Sequence, residues 1–195
     1  MRGLAIILIG AAALGFAAAA QTPAPAWREY LLADKSVGVQ FPGDPTAISA
    51  TFPTAGGVAV PTTIYSLKQG ALTLTLTVTD FSHGGNADLA QRLALRDIRG
   101  GGEVKLDVDE CISGQEGREL AVVGKDGGSL KDSVFAVGPK LYELEAKLAP
   151  GADDDAAGAA VRFQQSMRFS GGPLGDGAGV QPVCRGRARE ASTVD

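Results

Sequence analysis

Between positions 72 and 79 the chain reads Leu-Thr-Leu-Thr-Leu-Thr-Val-Thr, an alternation without a break. Successive side chains of a β-strand point to opposite faces, so Leu72, Leu74, Leu76 and Val78 share one face. Thr73, Thr75, Thr77 and Thr79 share the other. A helix turns about 100° per residue and would scatter both sets around its surface. β-branched Thr sits well on a sheet face, so the threonine row needs no functional explanation. Ordering an ice surface would need a flat threonine array over several strands. Two further runs repeat the pattern: Val104, Leu106, Val108 and Ile112 oppose Lys105, Asp107, Asp109 and Cys111. Tyr142, Leu144, Ala146 and Leu148 oppose Glu143, Glu145 and Lys147. Alternation this clean predicts a sheet with one covered side and one wetter side.

The joints between such runs are turn-formers. Pro42-Gly43-Asp44-Pro45, Lys68-Gln69-Gly70, residues 124–128 and Gly138-Pro139-Lys140 punctuate runs at 37–41, 47–52, 62–67, 118–123 and 129–137. Gly- and Asp-rich punctuation between β-rich runs predicts hairpins, hence antiparallel pairing. Two segments read as helices instead. Asn86 or Asp88 caps one that runs to about Ile98, with Leu89, Leu93 and Ile98 facing inward. Gly100-Gly101-Gly102 stops it; these glycines follow a helix, whereas those of a nucleotide loop follow a strand. Asp153, Asp154 and Asp155 open the second, which extends to about Gln165 with Ala157, Ala160, Val161 and Phe163 or Gln164 inward. The expected architecture is α+β, an antiparallel sheet of about seven strands with two packed helices.

The ends differ from this middle. Arg2, an apolar stretch from Leu4 to Gly15, and small residues before Gln21 have the grammar of a secretory signal peptide over residues 1–20. The apolar run is shorter than the ~20 residues of a spanning helix, which disfavours a retained transmembrane anchor. Residues 21–26 read as a linker, 27–169 as a single domain and 170–195 as a Gly-rich tail whose Arg185, Arg187 and Arg189 form a solvated end. The expected location is periplasmic or secreted. With 18 Lys+Arg against 22 Asp+Glu, a general nucleic-acid binder is not expected. Cys111 and Cys184 are the two cysteines, in no metal-ligand spacing. In an oxidising compartment they predict one disulfide. It would close a loop of about 73 residues, worth ~4 kcal/mol in the chain-entropy model before native strain.

Candidate chemistry is sparse. His83, the one histidine, lies in Asp80-Phe81-Ser82-His83 at the end of the Leu/Thr strand. Adjacency in sequence does not make a triad, whose members must converge in space. Asp107 and Asp109 share a strand face about 7 Å apart, a spacing that could serve a glycosidase or a cation. No calcium-loop spacing accompanies them, and helix capping accounts for Asp153 to Asp155. No catalytic, cofactor-binding or metal residue is assigned, and no cofactor is expected.

Several stretches carry a resemblance. Trp27-x-x-Tyr30 followed by Val37-Gly38-Val39-Gln40-Phe41-Pro42-Gly43-x-Pro45 resembles the opening of PsbP/Mog1-like secreted bacterial domains. Val134-Phe135-Ala136-Val137-Gly138-x-x-Leu141-Tyr142 is similar to their hairpin, and Arg162-Phe163-x-x-Ser166-Met167-Arg168-Phe169 to their closing helix and strand. The resemblance implies a sheet flanked by helices and a family of binding or assembly accessories, and it carries over no catalytic residue. The chain departs from it in the Cys-bearing tail. The functional expectation is therefore a non-enzymatic exported accessory of the cell envelope, binding an unknown protein or a small apolar ligand. The alternative is a hydrolase or metal-dependent enzyme using His83 or the Asp107/Asp109 pair.

Overall fold

A computed structural model describes residues 26–54 and 56–170, together with Cys184. The signal segment 1–20, residues 21–25 of the linker, and the tail apart from Ser170 and Cys184 lie outside the described residues. In chain order the elements are β1 (Arg28–Leu31), β2 (Val37–Phe41), β3 (Thr46–Pro53), β4 (Ala59–Gln69), β5 (Leu72–Asp80) and α1 (Ala87–Gly100). They continue with β6 (Glu103–Ile112), β7 (Gln115–Val123), β8 (Ser129–Val137), β9 (Lys140–Leu148), α2 (Asp154–Gln165) and β10 (Arg168–Phe169). The class is α+β, with a seven-stranded sheet in the order β3-β4-β5-β9-β8-β7-β6 and every pairing antiparallel. The sequence did not separate out a second sheet, β1-β2-β10, which joins the two ends of the described chain.

The Leu/Thr strand lies inside the large sheet, between β4 and β9. Leu72, Leu74, Leu76 and Val78 stand opposite Leu148, Ala146, Leu144 and Tyr142 of β9. Phe163 and Ala160 of α2, with Val37, Val39 and Phe41 of the small sheet, close over them. The opposite face is not simply wetter. Helix α1 packs Ala87, Ala90 and Leu95 against Leu120, Val134 and Leu141, so the sheet is covered on both sides. Thr79 is buried there, its hydroxyl 3.1 Å from that of Thr62 across β4. Thr73, Thr75 and Thr77 are partly open.

Both helices start where their sequences predicted. The Asn86 side chain accepts a hydrogen bond from Leu89 N–H at 2.8 Å, and Asp153 accepts one from Ala156 N–H at 2.8 Å. The inward face of α1 is rotated from the expected one: Ala87, Ala90 and Leu95 are buried and Leu89 is exposed, while Ile98 packs against the core as expected. In α2 Ala160, Phe163 and Gln164 are buried as expected, while Ala157 and Val161 are exposed. Small alanines let each helix lie close to the sheet, which leaves bulkier neighbours for the rim. Truncating the exposed cap, Asn86→Ala, is expected to cost about 1 kcal/mol in urea unfolding without changing far-UV circular dichroism of the native state.

Gly117 has a steric reason to be glycine. Gly117 stands opposite Phe135, and a Cβ on it would lie 2.3 Å from the Phe135 ring. The missing side chain lets a fully buried aromatic lie over the strand.

Candidate functional site

The residues singled out by sequence fall in different places. His83 is exposed in the β5–α1 connection, and the Asp80 carboxylate next to it accepts the Ser82 backbone N–H at 2.8 Å. Asp80 is therefore closing a local turn. Asp107 lies on β6, where Arg99 from the last turn of α1 donates to it at 2.8 Å. His83 and Asp107 thus sit at opposite ends of a helix roughly 20 Å long. They do not meet.

Asp107 and Asp109 do come together, on one guanidinium. Arg118 of β7 donates to Asp107 through Nε and to Asp109 through Nη1, each at 2.5 Å. Hydrogen bonding from Arg99, opposed by partial desolvation and reinforced by Arg118, holds the Asp107 carboxyl down at about 2. A glycoside general acid needs the opposite shift, a carboxyl that keeps its proton near neutrality. What the geometry builds is a neutralised ion-pair ladder on an outer strand. Among the described residues no three of His, Cys, Asp and Glu are grouped so that they could hold a metal ion. Cys111 on β6 is joined to Cys184 by a disulfide, with 5.8 Å between their Cα atoms. The bridge ties Cys184 to the outermost strand of the large sheet.

Two features of the fold were missed. The first is a buried acid. Asp132 on β8 is 0% exposed, and neither carboxylate oxygen meets an N–H or hydroxyl donor, its polar neighbour being the Glu143 carboxyl. It faces Glu145 directly across β9 and Glu143 diagonally. Desolvation, then repulsion from Glu143 and Glu145, raises its pKa well above the ordinary aspartate value. Desolvation raises Glu143 too, again with Glu145 against it. A hydrogen bond between two carboxyls needs a proton on one of them, so the pair holds a proton where isolated acids have lost theirs. The signal was present in Leu130-x-Asp132-x-Val134-x-Ala136, where an acid occupies a slot in an otherwise apolar alternation.

The second is the outer hairpin. All eight residues of β3 are exposed, and residues 45–67 contain no Asp, Glu, Lys, Arg or His. Ile48, Phe52 and Val58 are exposed large apolar side chains. Phe52 meets Phe81 edge-on at 6.5 Å, and a groove of about 170 Å³ lies between the hairpin tip and the start of α1. A larger concavity of about 510 Å³ opens at the end of the sheet that carries Lys68, Thr73, Lys147 and Leu130.

No protein-family model matches the chain, and no curated protein matches it. Among solved structures it is similar to the solution structure of cyanobacterial PsbP (CyanoP) from Synechocystis sp. PCC 6803. That likeness has 13% identity, covers 80% of this chain and 99% of that one, and has a TM-score of 0.49. It is also similar to a Pseudomonas aeruginosa protein of unknown function, with 14% identity over 71% of this chain and 92% of that one, at a TM-score of 0.36. The first of these bears the family name that the Trp27, Val37 and Arg162 stretches resemble.

Proposed function

We propose that this chain is an exported, non-enzymatic binding or assembly-accessory protein of the cell envelope. The observation that carries the reading is the β3–β4 hairpin, uncharged over residues 45–67, with a strand edge that no described strand pairs and with exposed Ile48 and Phe52. Monomeric surfaces normally blunt such edges with charge, and an apolar edge left open marks a contact surface. The dispersal of His83 from Asp107 and Asp109 points the same way. An enzyme built on them would need these groups in one concavity. Export rests on residues 1–20 and on the Cys111–Cys184 bridge, which suits an oxidising compartment.

The test is native mass spectrometry of the protein taken from its own envelope, with peptide mapping of the same sample. The expected result is a mature chain beginning at Gln21, the two cysteines linked, and an added mass that survives His83→Ala combined with Asp109→Asn. A retained leader together with a hydrolytic turnover abolished by that double variant would overturn the reading. A second reading, a small apolar ligand, rests on the 510 Å³ concavity, where Leu130, Val122, Leu148 and Pro150 contribute apolar wall. In the same spectrum it would appear as an added mass of a few hundred daltons at most.

A further inference from the structure

We infer that the open edge of β3 is the seam of a symmetric dimer, in which two copies pair their β3 strands antiparallel and extend each seven-stranded sheet into its partner's. The inference rests on the binding reading above and names the occupant of that surface.

The strand's own side chains supply the argument. A two-fold axis perpendicular to the sheet keeps the α1-side faces on one side, so directly opposed residues must come from the same face. Ile48, Ala50 and Phe52 share that face, as their pairing with Ile64, Thr62 and Val60 of β4 shows. With the axis at Ala50, each copy's Ile48 stands opposite the other's Phe52. Aromatic and β-branched side chains form the favoured cross-strand pair. Pro53, which lacks an N–H, then falls at the end of the ladder, where its absence costs least.

Charge decides against the usual obstacle. The chain carries a net charge of −4, and 21% of its residues are charged, so two copies repel in general. None of that charge lies in residues 45–67, and nothing on the seam opposes self-contact.

The experiment is light scattering and sedimentation of the mature chain at 5–200 µM, as wild type, Ala50→Lys and Ala50→Cys. Ala50 is exposed, and far-UV circular dichroism verifies that each variant is folded. The wild type is expected to approach twice the monomer mass across this range. Ala50→Lys sets two like charges across the axis and is expected to abolish the dimer. Ala50→Cys is expected to form an intermolecular disulfide across the axis under mild oxidation, with the Cys111–Cys184 peptide intact on mapping. A dimer unchanged by Ala50→Lys, or one that Ala50→Cys fails to cross-link, overturns the seam. A wild type monomeric throughout overturns self-pairing. In that case native spectra of envelope-derived protein separate the two ideas. Loss of the added mass in Ala50→Lys leaves the binding reading standing on this edge, and its persistence removes the edge from that reading as well.

Discussion

Replacing Asp132 with asparagine is expected to stabilise the protein by about 1–3 kcal/mol at pH 8, the size of the penalty for a buried group without a partner. Asp132 is fully buried between Leu120 of β7 and Glu145 of β9, with no donor on either carboxylate oxygen. An asparagine of nearly the same shape carries an N–H₂ group, which can donate to the Glu143 carboxylate that the acid can only repel or share a proton with. Most substitutions of buried polar residues destabilise a fold, so a gain here is a discriminating result.

The dependence on pH follows from the same pair. Burial, then repulsion from neighbouring acids (Glu143 and Glu145 on Asp132, Glu145 on Glu143), raise both Asp132 and Glu143 above their ordinary values, so the folded state binds more protons than the unfolded chain. Stability then falls as pH rises from the ordinary carboxylate range toward the raised values, and it is greatest below that range as far as this pair is concerned. Asp107 contributes with the opposite sign. Its carboxyl is held at about 2, so its contribution is lost only as pH falls through the acid range. Above the ordinary carboxylate range the groups that change are this buried pair and Glu110 of β6, which desolvation also raises. Urea midpoints at pH 5.5, 6.5 and 8 should decline for the wild type and be flatter for Asp132→Asn. Parallel declines in the two proteins would remove the pair as the cause.

The strands were legible because their alternation is local. Leu72 to Thr79, Val104 to Ile112 and Tyr142 to Leu148 each declare a period of two, and the turns between them declare antiparallel order. What the alternation did not carry was how many sides of the sheet are covered. Threonine is tolerated on either kind of face, so Thr79 could be buried against Thr62 without any mark in its own strand. The helix faces slipped for a related reason. Leu89 and Val161 look like core residues in isolation, but in α1 close packing on the sheet favours Ala87 and Ala90, and in α2 the expected Ala160 and Phe163 are buried without Val161. The Asp107/Asp109 pair was legible as a pair. Arg99 and Arg118, which neutralise it, come from other elements and entered only with the fold. The β3 edge was hidden because edge or centre is a property of the sheet's order, which a hairpin pattern leaves open.

Truncating Phe163 to alanine is expected to cost about 3–5 kcal/mol, the range for emptying a large aromatic site in a core. Phe163 is 0% exposed and its ring lies 5.0 Å from that of Phe41, so it holds α2, the small sheet and the large sheet to one another. The site has little freedom to collapse, because the next residue, Gln164, is fixed by hydrogen bonds to Lys131 and Leu144 backbone carbonyls and to the Ser133 hydroxyl. Val161→Ala on the same helix is the control. Its exposed side chain was expected inward from the sequence, yet its truncation should change the unfolding free energy by less than about 0.5 kcal/mol. Trp27, the one tryptophan, has Arg162 over its ring at 4.5 Å and reports on this junction by fluorescence. If Phe163 couples the two sheets, fluorescence and circular dichroism should unfold together in the wild type, with the fluorescence transition moving earlier in Phe163→Ala. Equal costs for the two truncations would mean that Val161 packs inward as its sequence suggested, and the packing described for the junction would be wrong.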